Sequence, residues 1–269
     1  VDGGRVRLRE GGERGRRGRR NRRRYRTPWR EPKVIAIYVV DDEGRKIDDV
    51  PIVYDATLGD ADATFALLAA ELALRGAREA AELVIVGDGA PWIWNRAEEL
   101  ARELGLDPAR ITEVADLYHA VEHLAAIAEL CAGWTEDRRR RWVKTMKRRL
   151  AQGKVVEVVA AARALCRGRN ARRLRTEVEY FESRKARMRY REFRRRGIPL
   201  GSGAVESAIR RVVNLRLKGP SMFWRGPNAE RMLHLRSYFK AGRWDELMRR
   251  VYYATPTGMA HEETKRAAA

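Results

Sequence analysis

The feature that most limits the fold is a short apolar run, Leu83-Val84-Ile85-Val86, which ends in Gly87-Asp88-Gly89 and lies between segments with helical periodicity. A continuous run of four apolar residues suits a strand that is buried on both faces, as strands are in sheets covered by helices. The run therefore predicts an α/β protein, with Asp88 at the carboxyl end of a buried strand.

Further strands are predicted on both sides of this run. Residues 1–9 alternate apolar and basic side chains after two glycines, and the apolar segment 34–40 leads into a turn-forming Asp-Asp-Glu-Gly sequence at 41–44. A third strand is predicted at 50–54 and a short one at 111–114. Helices are predicted over 61–75 with Asp60 or Asp62 as the N-cap, over 91–104, and over 116–132.

Three antiparallel strands followed by alternating strands and helices is the chain order of the RNase H-like fold. Residues 135–196 show helical patterns only, and a further helix is predicted over 204–217 after a glycine-rich break. We therefore expect an α/β, RNase H-like mixed-sheet core with an all-helical insertion before the last catalytic helix. The expected boundaries are core residues 1–133 (with a basic loop at 11–31), the insertion 134–198, core residues 199–250 and a tail 251–269.

The charge of the chain indicates a polyanionic partner. Lys and Arg number 57 against 37 acidic residues, which gives a formal net charge of +20. Nucleic acid is the leading candidate because each neutralised phosphate releases counterions. An anionic membrane surface is the weaker alternative, since no basic amphipathic stretch carries an insertable apolar face and no apolar run approaches a membrane span.

Arginine is densest between residues 14 and 26, and this segment is predicted to be a flexible arm that contacts the DNA backbone. The alternative is an ordinary solvated loop. The residues expected to bind DNA are Arg16, Arg17, Arg19, Arg20, Arg22, Arg23 and Arg24.

Cys131 and Cys166 stand alone in helical patterns and are expected to be small buried residues, not a disulfide or a zinc site. This usage suits a reducing compartment, and we expect a cytoplasmic, nucleoid-associated bacterial protein. Because the chain begins with Val1 and not Met, we also expect it to be a fragment or a processed product.

Three acidic residues are candidates for catalysis. Asp88 follows the buried strand, although an Asp at this position also suits a helix cap. Glu206 lies in the first turn of a predicted helix, just after two glycines, where favourable interaction with the helix dipole is the alternative explanation. Asp2 lies in the first predicted strand. Asp41 and Asp42 in the turn, and Asp55 at the end of the third strand, are rivals for Asp2.

Three carboxylates, two on strands and one on a helix packed against them, can share two divalent ions. Two such ions about 4 Å apart suit phosphodiester chemistry, since one activates the attacking oxygen and the other stabilises the leaving oxygen. Mg²⁺ prefers carboxylate and water ligands, which fits Asp and Glu in place of His and Cys. Asp2, Asp88 and Glu206 are thus candidate ligands for Mg²⁺, with Mn²⁺ as a substitute.

Several motifs occur together in a fixed order. They are VDGGRV (1–6), TPWREPK (27–33), VGDGAPWIW (86–94), DLYHAVEHL (116–124), GSGAVES (201–207), RLK (216–218) and MFW (222–224). Together they resemble the DDE transposases of bacterial insertion sequences, of the kind related to Mutator-like elements. The resemblance covers residues 1 to about 250.

The resemblance implies that Asp2, Asp88 and Glu206 bind the catalytic metals, and that the chain cleaves element ends and transfers the strand to target DNA. It matches Asp116 and His119 to an Asp-x-x-His segment of related enzymes. We expect a supporting role near the substrate for His119, the alternative being a helix start capped by Asp116; His123 is expected to be structural. Transposases commonly act as multimers on paired ends, although this sequence carries no interface signature. Two other functions stay open: another RNase H-like nuclease, and a non-enzymatic DNA-binding remnant of a transposase.

Overall fold

The computed structural model describes residues 2–11 and 25–253, with only the backbone of Asp2 included. The described chain is a mixed α/β protein, as the sequence predicts. Its nine strands form antiparallel ladders near the start of the chain and one parallel pair further on. The strands are β1 (Asp2–Gly3), β2 (Val6–Arg7), β3 (Glu10–Gly11), β4 (Tyr25–Arg26), β5 (Trp29–Arg30), β6 (Lys33–Ile37), β7 (Val53–Thr57), β8 (Leu83–Gly87) and β9 (Ile111–Ala115).

The first six strands form one long antiparallel ribbon. Asp2 lies opposite Val34 and Glu10 lies opposite Arg26, so the same register runs through β1–β6, β2–β5 and β3–β4. The two interruptions fall at Pro32 and Pro28, whose carbonyls still accept from Gly4 N (2.8 Å) and Leu8 N (3.0 Å). Because proline has no N–H, the reciprocal bond is missing at both places. The predicted alternation is confirmed, since Val6 and Leu8 are buried while the arginines between and beside them are exposed.

β6 continues into the predicted turn and then pairs with β7. The turn at Asp41 is confirmed: its Oδ1 accepts from the backbone N–H groups of Glu43 (3.0 Å) and Arg45 (2.8 Å). The third strand lies at Val53–Thr57 and not at 50–54 as predicted. Asp55, predicted to end this strand, therefore lies in its middle, opposite Ile35.

β8 and β9 lie where strands are predicted, and they pair in parallel, with Val86 opposite Val114. β8 is less buried than predicted, because Ile85 and Gly87 are buried but Leu83, Val84 and Val86 are only half-buried. Asp88 follows directly after β8, as predicted.

Twelve α-helices cover most of the remaining described chain. They are α1 (Ala61–Ala73), α2 (Pro91–Trp94), α3 (Ala97–Leu104), α4 (Leu117–Leu130), α5 (Glu136–Ala151), α6 (Val155–Arg163), α7 (Ala171–Ser183), α8 (Tyr190–Arg195), α9 (Gly203–Ala208), α10 (Leu215–Leu217), α11 (Gly226–Lys240) and α12 (Trp244–Tyr253). Asp60 caps α1 through a 3.0 Å bond from Ala63 N, as predicted. The helix predicted over 91–104 is divided into α2 and α3. Residues 136–195 carry helices and no strand.

The helix predicted over 204–217 is one helical run with an unusual middle. α9 passes into a π-helical segment, Ile209–Asn214, and then into α10. π-helical turns are rare and occur often at functional sites.

Three buried clusters organise the molecule. On one side of β6, Ile35 packs with α1, α2 and α3. On the other side, Val34 packs with the 203–217 helical run and α11, in one cluster with Val205 and Val213. The third cluster contains residues of β9 and of the five helices from α4 to α8. β6 is thus covered by helices on both sides, and the helices of 136–195 have a core of their own that reaches β9.

Within the described residues, no helix combines the length and the apolar character needed to cross a bilayer. Both cysteines are free, as predicted, and the Cys131 thiol donates to the Ile127 carbonyl oxygen at 3.3 Å.

Candidate active site

The Asp88 loop (residues 88–90), between β8 and α2, is fixed by the helical block. Asp88 Oδ1 accepts from Ala90 N at 2.8 Å and closes a local turn, but it does not cap α2, whose N-cap is Ala90 and which has no side-chain cap. From α7, the Tyr180 hydroxyl donates to the Asp88 carbonyl oxygen at 3.1 Å. Just beyond α7, the Arg184 guanidinium donates twice to the Gly89 carbonyl oxygen, at 2.9 and 2.5 Å. The backbone that carries Asp88 is therefore held from two directions.

Both glycines beside Asp88 have packing reasons. Gly89 has φ +100°, and a Cβ there would lie 2.5 Å from Arg184 Nε and 2.9 Å from Tyr180 Cε2. A Cβ on Gly87 would lie 2.9 Å from Ile93 Cδ1. The glycines thus allow close contact with α7 and α2, a purpose that the local sequence does not show.

Asp116 links the end of the parallel pair to the start of α9. Its backbone N–H donates to the Gly87 carbonyl oxygen (2.8 Å), one residue before Asp88. Its Oδ1 caps α4 by accepting from Tyr118 N (2.6 Å) and His119 N (3.1 Å). Its Oδ2 accepts from Ser202 N (2.6 Å) and from the Ser202 hydroxyl. This carboxylate is buried and ties the segment of Glu206 to the segment of Asp88.

The capping role of Asp116 is confirmed, but the hydrogen bonds that it accepts from Ser202 were not predicted. No local pattern announces a contact between residues 86 positions apart. The Ser202 hydroxyl does not cap α9 and donates to this distant carboxylate instead.

Glu206 lies in the first turn of α9 and its side chain is exposed. Its carboxylate has no hydrogen bond or ion pair with any residue in the described part of the chain. Val205, directly before it, is buried among Val34 and the 203–217 helical run. Glu206 is therefore a solvent-facing carboxylate on a firmly packed helix, free to bind a cation.

Asp2 lies in β1, opposite Val34. The late helical run reaches this end of the ribbon, because a Cβ on Gly4 would lie 3.2 Å from Val213 Cγ1. The backbone segment of Asp2 and the helix of Glu206 thus belong to neighbouring parts of one packed unit.

His119 lies on the exposed side of α4. Its Nδ1 is 3.1 Å from Glu122 Oε2, and its ring packs edge-on against His123 and Tyr180, with centroids 5.0 and 5.9 Å away. His123 stacks on Tyr180 with ring centroids 3.7 Å apart and bonds through Nδ1 to Glu177 Oε2 at 2.6 Å. His123 is thus part of the packing, as expected, and His119 lies beside the tyrosine that holds the Asp88 loop.

Negative charge is concentrated around Tyr180. Burial raises the pKa of its hydroxyl well above 10, and the carboxylates of Asp88, Asp116 and Glu122 act in the same direction, while Arg184 opposes them. Burial also lowers the pKa of His123 below 6.5, against the opposing effect of Glu177. The hydroxyl of Tyr180 therefore stays a hydrogen-bond donor at neutral pH, and His123 is neutral there.

Asp55 is not a free carboxylate. It is buried, and its Oδ1 lies 2.9 Å from His234 Nδ1 of α11. The hydrogen bonds that His234 donates to Asp55 and Glu230 raise its pKa to about 10, although burial opposes them. Glu230 also accepts from the Thr57 hydroxyl (2.6 Å) and Leu58 N (2.7 Å). Asp55 is thus bound in an ion pair that fastens α11 to β7.

The arginines expected to bind DNA, from Arg16 to Arg24, lie outside the described residues. Of the side chains that the structure does describe, no three or more His, Cys, Asp or Glu are grouped to hold a metal ion. Asp2 is outside that set. A metal site formed by Asp88, Glu206 and Asp2 stays a prediction.

The chain matches no protein-family model, no curated protein and no solved structure.

Proposed function

We propose that this chain is the catalytic core of a DNA transposase of the DDE type, which cleaves DNA strands and transfers them to a target. Asp2, Asp88 and Glu206 would hold Mg²⁺, or Mn²⁺ in its place. The observation that carries the proposal is the link through Asp116, which joins the end of β8, next to Asp88, to the residue before α9, which bears Glu206.

The arrangement of the strands supports an RNase H-like core. β7, β6 and β1 are neighbours in that order, all antiparallel, and β8 and β9 form a parallel pair connected by helices. α9 packs against β6 and follows the helices of 136–195 in the chain. An RNase H-like site takes its three carboxylates from the first strand of the core, from its fourth strand and from a late helix. β1, β8 and α9 have the strand directions and the chain order expected of these three elements.

The chemistry of the donors fits Mg²⁺. Glu206 is exposed and has no cationic partner in the described chain, and Asp88 uses one oxygen for a backbone N–H. In a chain of net charge +20, a carboxylate without a cation beside it is a ready ligand for a hard divalent ion. When bound, such ions activate the attacking oxygen and stabilise the leaving oxygen of an in-line phosphoryl transfer.

The reaction has two steps. In the first, a water oxygen bonds to phosphorus and the bond to the 3′ oxygen breaks, which leaves a 3′-hydroxyl and a 5′-phosphate. In the second, this 3′-hydroxyl bonds to a target phosphorus and the target's own 3′ oxygen leaves. Tyr180 and Arg184 keep Asp88 in place, and Asp116 keeps α9 in place, during both steps.

The partner of the proposed enzyme is DNA. The arginine-rich segment between β3 and β4, and the basic side chains along the ribbon, supply contacts to phosphates. Binding should weaken steeply as salt rises, because counterions released on binding must be taken up again.

The test is metal-dependent nicking of a supercoiled plasmid that carries the DNA flanking this coding sequence, with Mg²⁺ or Mn²⁺. Asp88→Asn and Glu206→Gln keep the side-chain shapes and remove the charge. Each should lower the nicking rate by about 100-fold or more, since even the residues that orient metal ligands are worth 10- to 100-fold. Glu98→Gln is the matched control, because Glu98 is also an exposed glutamate in the first turn of a helix.

Unchanged nicking in Glu206→Gln would contradict the site. If the chain binds DNA but no metal supports nicking, the protein is a DNA-binding remnant and not an enzyme.

A further inference from the structure

One face of the ribbon is a second candidate binding surface. The register places Arg7 opposite Trp29 and makes the odd-numbered side chains of residues 5–9 and 25–29 share a face. The even-numbered Val6 and Leu8 point the other way, into the core with the 203–217 helical run. We call the side chains of Arg5, Arg7, Arg9, Tyr25 and Trp29 the ribbon face.

The ribbon face exposes two large aromatic rings. The exposed fraction is 48% for Trp29 and 43% for Tyr25, and both residues of β5 and of β4 are exposed. Arg7 lies over the Trp29 ring, 4.8 Å from its centroid, and Arg9 over the Tyr25 ring at 4.0 Å. Guanidinium groups stacked in this way keep the rings in a fixed orientation and leave their N–H donors available.

A loop from the other end of the chain extends this surface. Arg9 N donates to the Trp224 carbonyl oxygen (2.6 Å), and Trp224 N donates to the Arg7 carbonyl oxygen (3.0 Å), so the loop adds to the ribbon like a further strand. Ser221, at φ +57°, is the one non-glycine residue with positive φ among those described, and it lies in this loop. The ring centroid of Phe223, in this loop, lies 6.3 Å from that of Tyr25. Lys218 Nζ lies 6.0 Å from the ring centroid of Trp29.

The cations of this surface are not neutralised. Arg5, Arg7, Arg9 and Lys218 form no ion pair with a carboxylate in the described part of the chain. Glu31, at the base of the ribbon over Gly3, is the acidic side chain on the same face. A basic surface without internal partners, interleaved with exposed rings, is complementary to a ligand that has both phosphates and free aromatic faces.

We propose that the ribbon face binds single-stranded DNA, with unpaired bases stacked on Trp29 and Tyr25 and phosphates held by Arg7, Arg9 and Lys218. Duplex DNA does not fit as well, because its bases are already stacked on one another. Tyr25 and Trp29 are four residues apart on one chain segment, about 14 Å, which leaves room for two separate bases with a phosphate between them. This inference deepens the proposed function and rests on it for the choice of DNA, since cleavage and strand transfer expose unpaired ends.

Binding is measured without cleavage, in the absence of divalent metal. The probe is a fluorescein-labelled oligothymidine of about 15 nucleotides, with a duplex of equal length as comparison. The full chain should bind the single strand in a salt-dependent manner. Trp29→Ala should lower its affinity for the single strand by about tenfold, and its affinity for the duplex by less than twofold, since each stacked base contributes about 1–3 kcal/mol.

Two control variants separate stacking from folding. Trp244 is also an exposed tryptophan, with an exposed fraction of 42%, and it packs edge-on against Phe239 away from the ribbon. Trp244→Ala should leave binding unchanged. Trp29→Phe keeps a ring and should recover most of the affinity that Trp29→Ala loses, while circular dichroism confirms that each variant is folded.

Equal losses for single strand and duplex in Trp29→Ala would overturn the proposal, because the face would then contact only the backbone. Tighter binding to an RNA of the same length would also overturn it and assign the face to RNA. If nicking is never observed but Trp29 still controls single-strand binding, the proposed function fails and this surface stands.

Discussion

The two described segments that carry candidate metal ligands are held in opposite ways. The Asp88 loop is fixed by several contacts at once, from Tyr180, from Arg184 and from the tight packing of its glycines. The start of α9 is held by apolar packing through Val205 and by one polar side chain, Asp116, and Glu206 itself contacts no other described side chain through a polar bond. One candidate ligand therefore lies in a loop fixed by several polar contacts, and the other lies on a helix with one polar side chain to hold its start. A metal site needs both segments to be held in place, because a ligand that moves by about 1 Å no longer coordinates well.

The largest effect on stability is expected when Asp116, the polar side chain that holds the start of α9, is removed. Asp116→Ala leaves the N–H groups of Tyr118 and Ser202 and the Ser202 hydroxyl without their acceptor in a buried place. The free energy of unfolding should fall by about 3 kcal/mol. Urea unfolding measures the change.

Asp60→Ala is the matched control, because Asp60 caps α1 through one backbone N–H. It should lower the free energy of unfolding by about 1 kcal/mol. Equal losses in the two variants would mean that Asp116 is only an ordinary cap, and the proposed link between the two segments would fail.

The next largest effect on stability is expected at a glycine of the Asp88 loop, and a glycine at the start of α9 should show almost none. Gly89→Ala adds a Cβ at φ +100° against Arg184 and Tyr180, and should destabilise the fold by about 2 kcal/mol. Gly203→Ala, at the start of α9, meets nothing within 4 Å and should change the stability by less than about 0.5 kcal/mol. Thermal unfolding of both variants measures the difference. Equal stabilities of Gly89→Ala and Gly203→Ala would contradict it.

A smaller loss is expected from Tyr180→Phe. The ring contacts with His123 remain, while the hydrogen bond to the Asp88 carbonyl oxygen disappears. Stability should fall by about 1 kcal/mol, and metal-dependent nicking should fall as well because the Asp88 loop is less constrained. Thr176→Ala is the control, because it removes a hydroxyl on the exposed side of the same helix and leaves this bond intact. A normal nicking rate in Tyr180→Phe would show that the hydroxyl does not support the site.

Two histidines are expected to give opposite dependences of the stability on pH. His234 has a pKa raised to about 10, so its contribution to stability is full below its unfolded pKa of about 6.5 and is lost as the pH rises towards 10. His123 has a lowered pKa, so its neutral form stabilises the native state above about 6.5, and that stability is lost as the pH falls below this value.

His234→Gln should therefore flatten the alkaline part of the stability curve, and His123→Gln the acidic part. Urea unfolding across the pH range measures both. Loss of the acidic slope in His234→Gln would contradict the assignment of the two pairs.

The sequence predicts well those elements whose pattern is set by neighbouring residues. The alternation at Val6 and Leu8, the cap at Asp60 and the positions of the strands β8 and β9 follow from local periodicity and capping. The errors occur where a distant partner changes the meaning of a polar residue. β7 is displaced from the prediction because Asp55, which looks like a strand end, is neutralised in mid-strand by His234 from α11.

α11 itself was not predicted, for a related reason. Its buried side includes the polar Ser237, its ion-paired His234 and Glu230 face β7, and Leu235 and Phe239 are exposed. No apolar stripe at helical spacing marks it. In the candidate site, Asp88 and Glu206 could be named from the sequence, but Tyr180, Arg184 and the bond from Asp116 to Ser202 could not, since each joins residues more than 80 positions apart.

The most direct test of the central claim is to map the metal site by iron-mediated cleavage of the polypeptide. Fe²⁺ with ascorbate and peroxide cuts the backbone beside the place where the ion is bound, and needs no DNA. The account predicts cuts near Asp2, Asp88 and Glu206 that Mg²⁺ suppresses and that Glu206→Gln weakens, while Glu98→Gln has no effect. Cuts confined to other segments, or cuts near Asp88 that persist unchanged in Glu206→Gln, would contradict a shared metal site.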